Sequence, residues 1–158
     1  MRSDNDFSSP IGGNGKPKAH IDENGDLIPP NPEGTGSIQT HVRGGGSENS
    51  PYISVTDPRA ASSPKDYGLN KIEIDKDRLQ KDIDSGLLPD KRFLTNHEVV
   101  AELQARVNAA RDRYINNPST KNQTSLARAE SDMGNTVRDG ECLIKGCVPA
   151  TYIKFIDD

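Results

Sequence analysis

Thr95-Asn96-His97-Glu98 is a capping box, and Val99, Leu103, Val107, Ala110 and Tyr114 follow it at steps of three and four. A threonine hydroxyl that bonds the backbone three residues on starts a helix, and this apolar spacing gives the helix one stripe to bury. The pattern predicts a helix to about Asn116, stopped by Pro118. Thr120 and Gln123 start a second, with Leu126, Ala129 and Met133 on one side and a stop expected at Gly134. Two apolar stripes so close in sequence are best buried against each other, as a helical hairpin. The rest of the chain has to fold around that pair.

Outside the hairpin the chain reads as strands and loops. Before Gly46, turn clusters (GGNG, DENGD, PPNPEG, RGGG) surround short apolar pieces, of which Ile38 to Val42 reads as a strand and Leu27-Ile28 does not. Pro51 to Thr56 is the next strand, and LNKIEID from Leu69 to Asp75 alternates well enough to be another. Asp77 to Leu88 fits a short helix; the mixed charges of IDKDRLQKDID make its solvated face. After the hairpin come ECLIK from Glu141 and TYIKF from Thr151. The fold class expected is α+β, one domain over 1–158: loop-rich 1–50, strands in 51–75, helices in 95–134 and closing strands in 141–156. Its first and last strands must then meet in space.

With 31% hydrophobic residues and no Trp, 158 residues can build one modest core. A formal net charge of −4 gives no basic footprint, so nucleic acid is not the default partner. No apolar run has membrane-spanning length, and MRSDNDFSSP has no hydrophobic signal region. A soluble chain with no membrane partner is expected, and an opening that runs straight into Arg2 fits a domain excised from a longer exported protein. Cys142 and Cys147 form a single Cys-x4-Cys pair, too few for a zinc site; they read as buried thiols, with a disulfide as the alternative. DENGD lacks the closing glutamate of a calcium loop, and GGNG and RGGG lack the lysine and helix of a phosphate loop, so no metal is expected and all three read as turns.

One short stretch stands apart. In SPYISVTDPRAA the strand Tyr52 to Thr56 puts the hydroxyls of Ser54 and Thr56 on the face that Ile53 and Val55 do not use. Ahead of it lie His41, Arg43 and a glycine loop; after the hairpin Glu141 opens a strand that leads to a turn with Pro149; at the front Arg2 stands two residues before Asp4. These pieces, in this order, resemble the mono-ADP-ribosyltransferase toxins of the cholera and pertussis type, the arginine-serine-glutamate class. Arg2-Ser3-Asp4 is similar to the family's Arg-x-Asp string, Tyr52-Ile53-Ser54-Val55-Thr56 to its Ser-Thr-Ser strand, and Asp139-Gly140-Glu141 with Val148-Pro149-Ala150 to its closing glutamate motif. The resemblance spans nearly the whole chain on short motifs, and the size is that of C-terminal toxins of bacterial polymorphic systems such as Rhs proteins.

The resemblance implies a split pair of small β-sheets around an NAD cleft with a helical hairpin. It also implies transfer of ADP-ribose from NAD to a macromolecule, with release of nicotinamide. Glu141 would hold the ribose 2′-hydroxyl as an oxocarbenium-like ribose develops. Ser54 would clamp that carboxylate, with Thr56 lining the same face. Arg2 would bind the NAD diphosphate through its fork of donors. Arg43, in an Arg-Gly arrangement found in other branches, is the alternative arginine, and residues 1–35 would then be a linker. His41 would bond the adenosine ribose or hold the arginine strand, and Tyr52 or Tyr67 would stack on the nicotinamide. Two positions depart from the family pattern. Val55 replaces its middle Thr, and Asp139 stands where Glu or Gln is usual; that position helps to choose the acceptor, so Asp139 is assigned to acceptor positioning and the acceptor stays open.

The implied partners are an acceptor in the target cell, such as elongation factor Tu, another cytosolic protein of translation or division, or an RNA, and a cognate immunity protein. The implied setting is a secreted or delivered effector acting in the target cytoplasm. Two rivals come from other classes: a metal-independent nuclease toxin using His20, His41 or His97, and a secreted binding or adaptor domain without catalysis.

Overall fold

The computed structural model describes residues 1–44 and 46–156, with Gly45 of RGGG and residues 157–158 outside the described set. In chain order the elements are β1 (Arg2–Asp4), β2 (His20–Ile21), β3 (Leu27–Ile28), α1 (Ile38–Arg43), β4 (Tyr52–Thr56), β5 (Asn70–Ile74) and α2 (Lys76–Asp84). After these come β6 (Arg92–Leu94), α3 (Asn96–Asn116), α4 (Thr120–Asp139), β7 (Glu141–Lys145) and β8 (Ile153–Ile156). This is a mixed α and β chain with small antiparallel sheets. One has the order β1-β5-β8, a second β4-β7-β6, and β2 pairs with β3 in a two-stranded ribbon. The first and last strands share a sheet, with β5 between them.

The two three-stranded sheets touch at one corner, where Met1 and Thr56 exchange two backbone hydrogen bonds of 2.7 Å. Alternation along β4, β7 and β6 then sorts the side chains into two layers. Ile53, Val55, Phe93, Cys142 and Ile144 enter a core shared with Ile72, Leu79 and Val148. Tyr52, Leu94 and Leu143 take the other face and pack under Ile38, Val99 and Leu103 of α1 and α3. Each such aliphatic side chain contributes roughly 1.5–3 kcal/mol on burial. Past these apolar side chains that second face continues as the half-buried Ser54, Thr56 and Glu141, so the hydroxyl strand is the polar end of a buried face.

α3 begins on the Thr95 cap, whose hydroxyl accepts from Glu98 N, and buries Val99, Leu103, Val107 and Ala110 as its period predicts. α4 starts on a Ser119 cap and packs Leu126, Ala129 and Met133 toward α3.

Several local expectations are corrected. Ile38 to Val42 is a helix, not a strand. Ser37 caps it by accepting from Thr40 N, Gly44 at φ 80° ends it, and Ile38 is its one buried residue. Leu27-Ile28 is a strand, because Asp22 accepts from Asn24 N and Asp26 N and folds the chain back on His20-Ile21. Leu27 is fully buried and exchanges two backbone bonds with Val148. α4 does not stop at Gly134 but runs to Asp139, and the left-handed residue that ends it is Gly140 at φ 58°. TYIKF is a strand only from Ile153, after a single 3-10 turn over Ala150–Tyr152. Both cysteines are free thiols, Cys142 buried and Cys147 half-buried, and burial raises the pKa of each. The loop-rich front is no detachable linker, since Phe7, Ala19 and Leu27 belong to the first core.

Among the described residues no helix is long and apolar enough to cross a membrane, and no cluster of His, Cys, Asp and Glu is arranged to hold a metal ion.

Candidate active site

Glu141 follows Gly140 directly and heads β7, opposite Thr56 and diagonal to Ser54, which pairs with Leu143. That diagonal is within reach of a glutamate. Ser54 Oγ donates to Glu141 Oε1 at 2.7 Å, and Thr136 Oγ1, from the last turns of α4, donates to Oε2 at 2.9 Å. Asn96, the first residue of α3, donates from Nδ2 to the backbone carbonyls of Glu141 (2.9 Å) and Thr136 (3.1 Å), tying the start of β7 to the end of α4.

Behind Ser54 the network runs inward. Its Oγ lies 2.8 Å from His41 Nε2, and His41 Nδ1 lies 2.6 Å from Ser50 Oγ. Burial, and after it the nearby Arg2 charge, push the His41 pKa down to about 4, so the ring is neutral near pH 7. The single Ser54 proton is given to Glu141, which makes Ser54 the acceptor from His41 Nε2–H; Nδ1 is then the acceptor from the Ser50 hydroxyl. Every proton along Ser50, His41 and Ser54 points toward the carboxylate. Burial raises the Glu141 pKa; the Ser54 and Thr136 hydrogen bonds oppose it, Asp139 adds to the rise and Arg2 opposes it.

Neutral His41 carries a pH dependence of its own. Its folded pKa lies below the unfolded value of 6.5, so the unfolded chain takes up the proton first and stability falls with pH. The loss runs from about pH 6.5 to about pH 4 and amounts to up to roughly 3 kcal/mol. Denaturant melts of the protein and of His41→Gln, which keeps a donor toward Ser54, are expected to diverge in that window: the wild type loses more stability than the variant as the pH falls.

These groups line a cleft of about 400 Å³. Its walls are His41, Ser54, Thr56 and Glu141 on the sheet side, Asp132, Asn135, Thr136 and Asp139 along α4, and Lys65 and Tyr67 from the loop between β4 and β5. Asp139 is held in a fork by Arg138, with Nε to Oδ1 at 2.7 Å and Nη2 to Oδ2 at 2.9 Å, which lowers its pKa. A larger groove of about 610 Å³ lies on the other face of β4 and β7. It has an apolar floor of Val55, Phe93, Cys142 and Ile144, and of its acids Asp57 is paired with Lys76 and Asp75 caps α2. No buried carboxylate faces that groove, which leaves the cleft as the candidate site.

Of the residues singled out in the sequence, Glu141, Ser54, Thr56, His41, Asp139 and Tyr67 meet in the cleft. Arg2 arrives from below: its Nη1 donates to Ser54 O at 2.8 Å, its Nη2 is 4.0 Å from Asp4, and its Nε is buried without a partner among the described residues. It opens on an adjoining recess of about 190 Å³ that shares Thr56, Lys65 and Tyr67 with the cleft. Tyr52 is buried behind His41, ring edge toward ring at 5.8 Å, and lines neither space. Arg43 is exposed at the end of α1, away from the cleft walls. The histidines do not assemble: His20 is on β2, His97 is exposed on α3, and His41 alone reaches the cleft, with both ring nitrogens spent on serines.

Sequence reasoning missed Ser50, Asn96 and Thr136. Asn96 was visible only as part of a capping box, and Thr136 lay beyond the glycine taken for the helix end. Comparison of the chain with known protein families, curated proteins and solved structures returned no match.

Proposed function

We propose that the chain is a mono-ADP-ribosyltransferase domain, its two small sheets and helical hairpin forming an ADP-ribosyltransferase-like fold around an NAD cleft. The observation that carries the reading is the 2.7 Å bond from Ser54 to Glu141 at the base of that cleft, joining two motifs 87 residues apart in the order the resemblance requires. In the proposed reaction the bond between ribose C1′ and the nicotinamide nitrogen breaks, and its electron pair leaves with nicotinamide. The ribose passes through an oxocarbenium-like state, and a lone pair of the acceptor closes on C1′ as the acceptor loses its proton.

Glu141 supports the cation by accepting from the ribose 2′-hydroxyl. Each carboxylate oxygen keeps a lone pair beyond the one used by Ser54 or Thr136, so the clamp leaves room for that bond. Arg2, with donors left over from its bond to Ser54 O, faces the diphosphate through the adjoining recess, and Tyr67 is the aromatic available to stack on nicotinamide. His41, occupied at both nitrogens, orients Ser54 and does not touch NAD. Asp139 lies on the acceptor side, two residues before Glu141.

The wider setting follows the same proposal: a delivered toxin acting in the target cytoplasm on a macromolecule such as elongation factor Tu, another cytosolic protein or an RNA, and blocked by a cognate immunity protein over the cleft. Incubating the protein with NAD and a target-cell lysate and following free nicotinamide tests the chemistry. Nicotinamide is expected to appear as NAD is lost; NAD that stays intact throughout would remove the basis of the proposal.

A further inference from the structure

Thr136 is 1% exposed and sits in the last turn of α4, five residues before Glu141. A helical threonine hydroxyl ordinarily turns back to the carbonyl four residues earlier. Here it points forward, across the left-handed turn at Gly140, to Glu141 Oε2. The Thr136 carbonyl is held as well, accepting from Asn96 Nδ2 and from Gly140 N. So the hydroxyl that touches one carboxylate oxygen is anchored to α3, while the hydroxyl on the other oxygen belongs to β4 and is backed by His41 and Ser50. The carboxylate cannot rotate about its last bond without breaking both contacts.

We infer that Thr136 is a positioning residue for Glu141: it tethers Oε2 from the helical side as Ser54 tethers Oε1 from the sheet side, fixing the plane of the carboxylate. The role of that plane in catalysis rests on the transferase reading; the tether itself does not. The charged groups around Glu141 are Arg2 from β1 and, from α4, Asp139 with its partner Arg138 and, farther along the cleft wall, Asp132. His41 faces it neutral from α1, and Lys65 and Tyr67 lie along the cleft on the β4–β5 loop. Thr136→Val leaves all of these in place and keeps the branched shape, removing one donor from the charged form of a buried acid. Loss of such a donor moves the titration of the acid to higher pH.

The test is a carbon-13 NMR titration of the Glu141 side-chain carboxyl, assigned by its disappearance in Glu141→Gln, in the wild type, Thr136→Val and Thr136→Ser. It is run beside the pH dependence of nicotinamide release. The Glu141 titration is expected to move to higher pH in Thr136→Val and to return in Thr136→Ser. The acid limb of turnover should move the same way, with kcat down about tenfold and KM for NAD near wild type. A Glu141 titration unchanged in Thr136→Val, or not restored in Thr136→Ser, overturns the inference. A shifted titration in a protein whose wild type never releases nicotinamide upholds the tether and overturns the transferase reading alone.

Discussion

Glu141→Gln is expected to lower nicotinamide release by on the order of 10²–10³-fold while leaving the protein folded and its melting temperature near wild type. The two halves of that result have one cause. Glu141 is desolvated, and burial raises its pKa, so its charge costs the folded state free energy and is held only by Ser54, Thr136 and Arg2. An amide of the same size removes that cost, and with it the negative charge that would face the developing ribose cation. A surface glutamate at the head of a strand would share the near-wild-type melting temperature but not the loss of turnover, because its replacement leaves the chemistry untouched. Turnover assays and thermal melts on the same two preparations separate these cases.

The second large effect is at Gly140. Its φ of 58° is left-handed, and a Cβ placed there would lie 2.6 Å from both Asp57 O and Ala61 N, two backbone atoms that cannot swing away. Gly140→Ala is expected to cost roughly 2–4 kcal/mol, the sum of the left-handed penalty and the clash. The damage falls on the site too, since Gly140 links Thr136 to Glu141 and its carbonyl accepts from Asp57 N at 2.9 Å. Gly134 is the control. It lies inside α4 with open space around it and no positive φ, so Gly134→Ala is expected to raise stability by up to about 1 kcal/mol. Denaturant melts of the two variants should therefore move in opposite directions.

Those two glycines also mark where the sequence could and could not be read. A glycine after an apolar stripe is a stop signal, and Gly134 follows Met133. What decides between Gly134 and Gly140 is whether the chain must turn sharply there, and that depends on β7 pairing with β4, a contact between residues far apart in sequence. The same limit explains Leu27-Ile28, too short to show a period, whose strand exists because Val148 and His20 pair with it. Ile38 to Val42 alternates like a strand, yet Ser37 and Gly44 are helix caps, and the caps prevailed over six residues.

α3 was legible because its period repeats over 21 residues and local signals agree at its start. In the site, Ser54 and Glu141 were legible as motifs in a fixed order. Their register was not: only the pairing of Thr56 with Glu141 brings Ser54 diagonally within reach. Thr136 and Ser50 were invisible for a physical reason, since an isolated hydroxyl is common on any surface and these two acquire meaning only through the atoms they face. Arg43 had a plausible neighbourhood in sequence and ended on the exposed tip of a six-residue helix.

The most direct test of the central claim is transfer itself. The protein and its Glu141→Gln variant are incubated with NAD labelled in the adenylate half and with target-cell lysate, and the label is followed into macromolecules. The account predicts that label reaches a discrete acceptor with the wild type, accompanied by free nicotinamide, and that both are absent with the variant. Equal labelling by the two proteins, or none by the wild type, would contradict the assignment of Glu141 and of this cleft as the seat of ADP-ribose transfer.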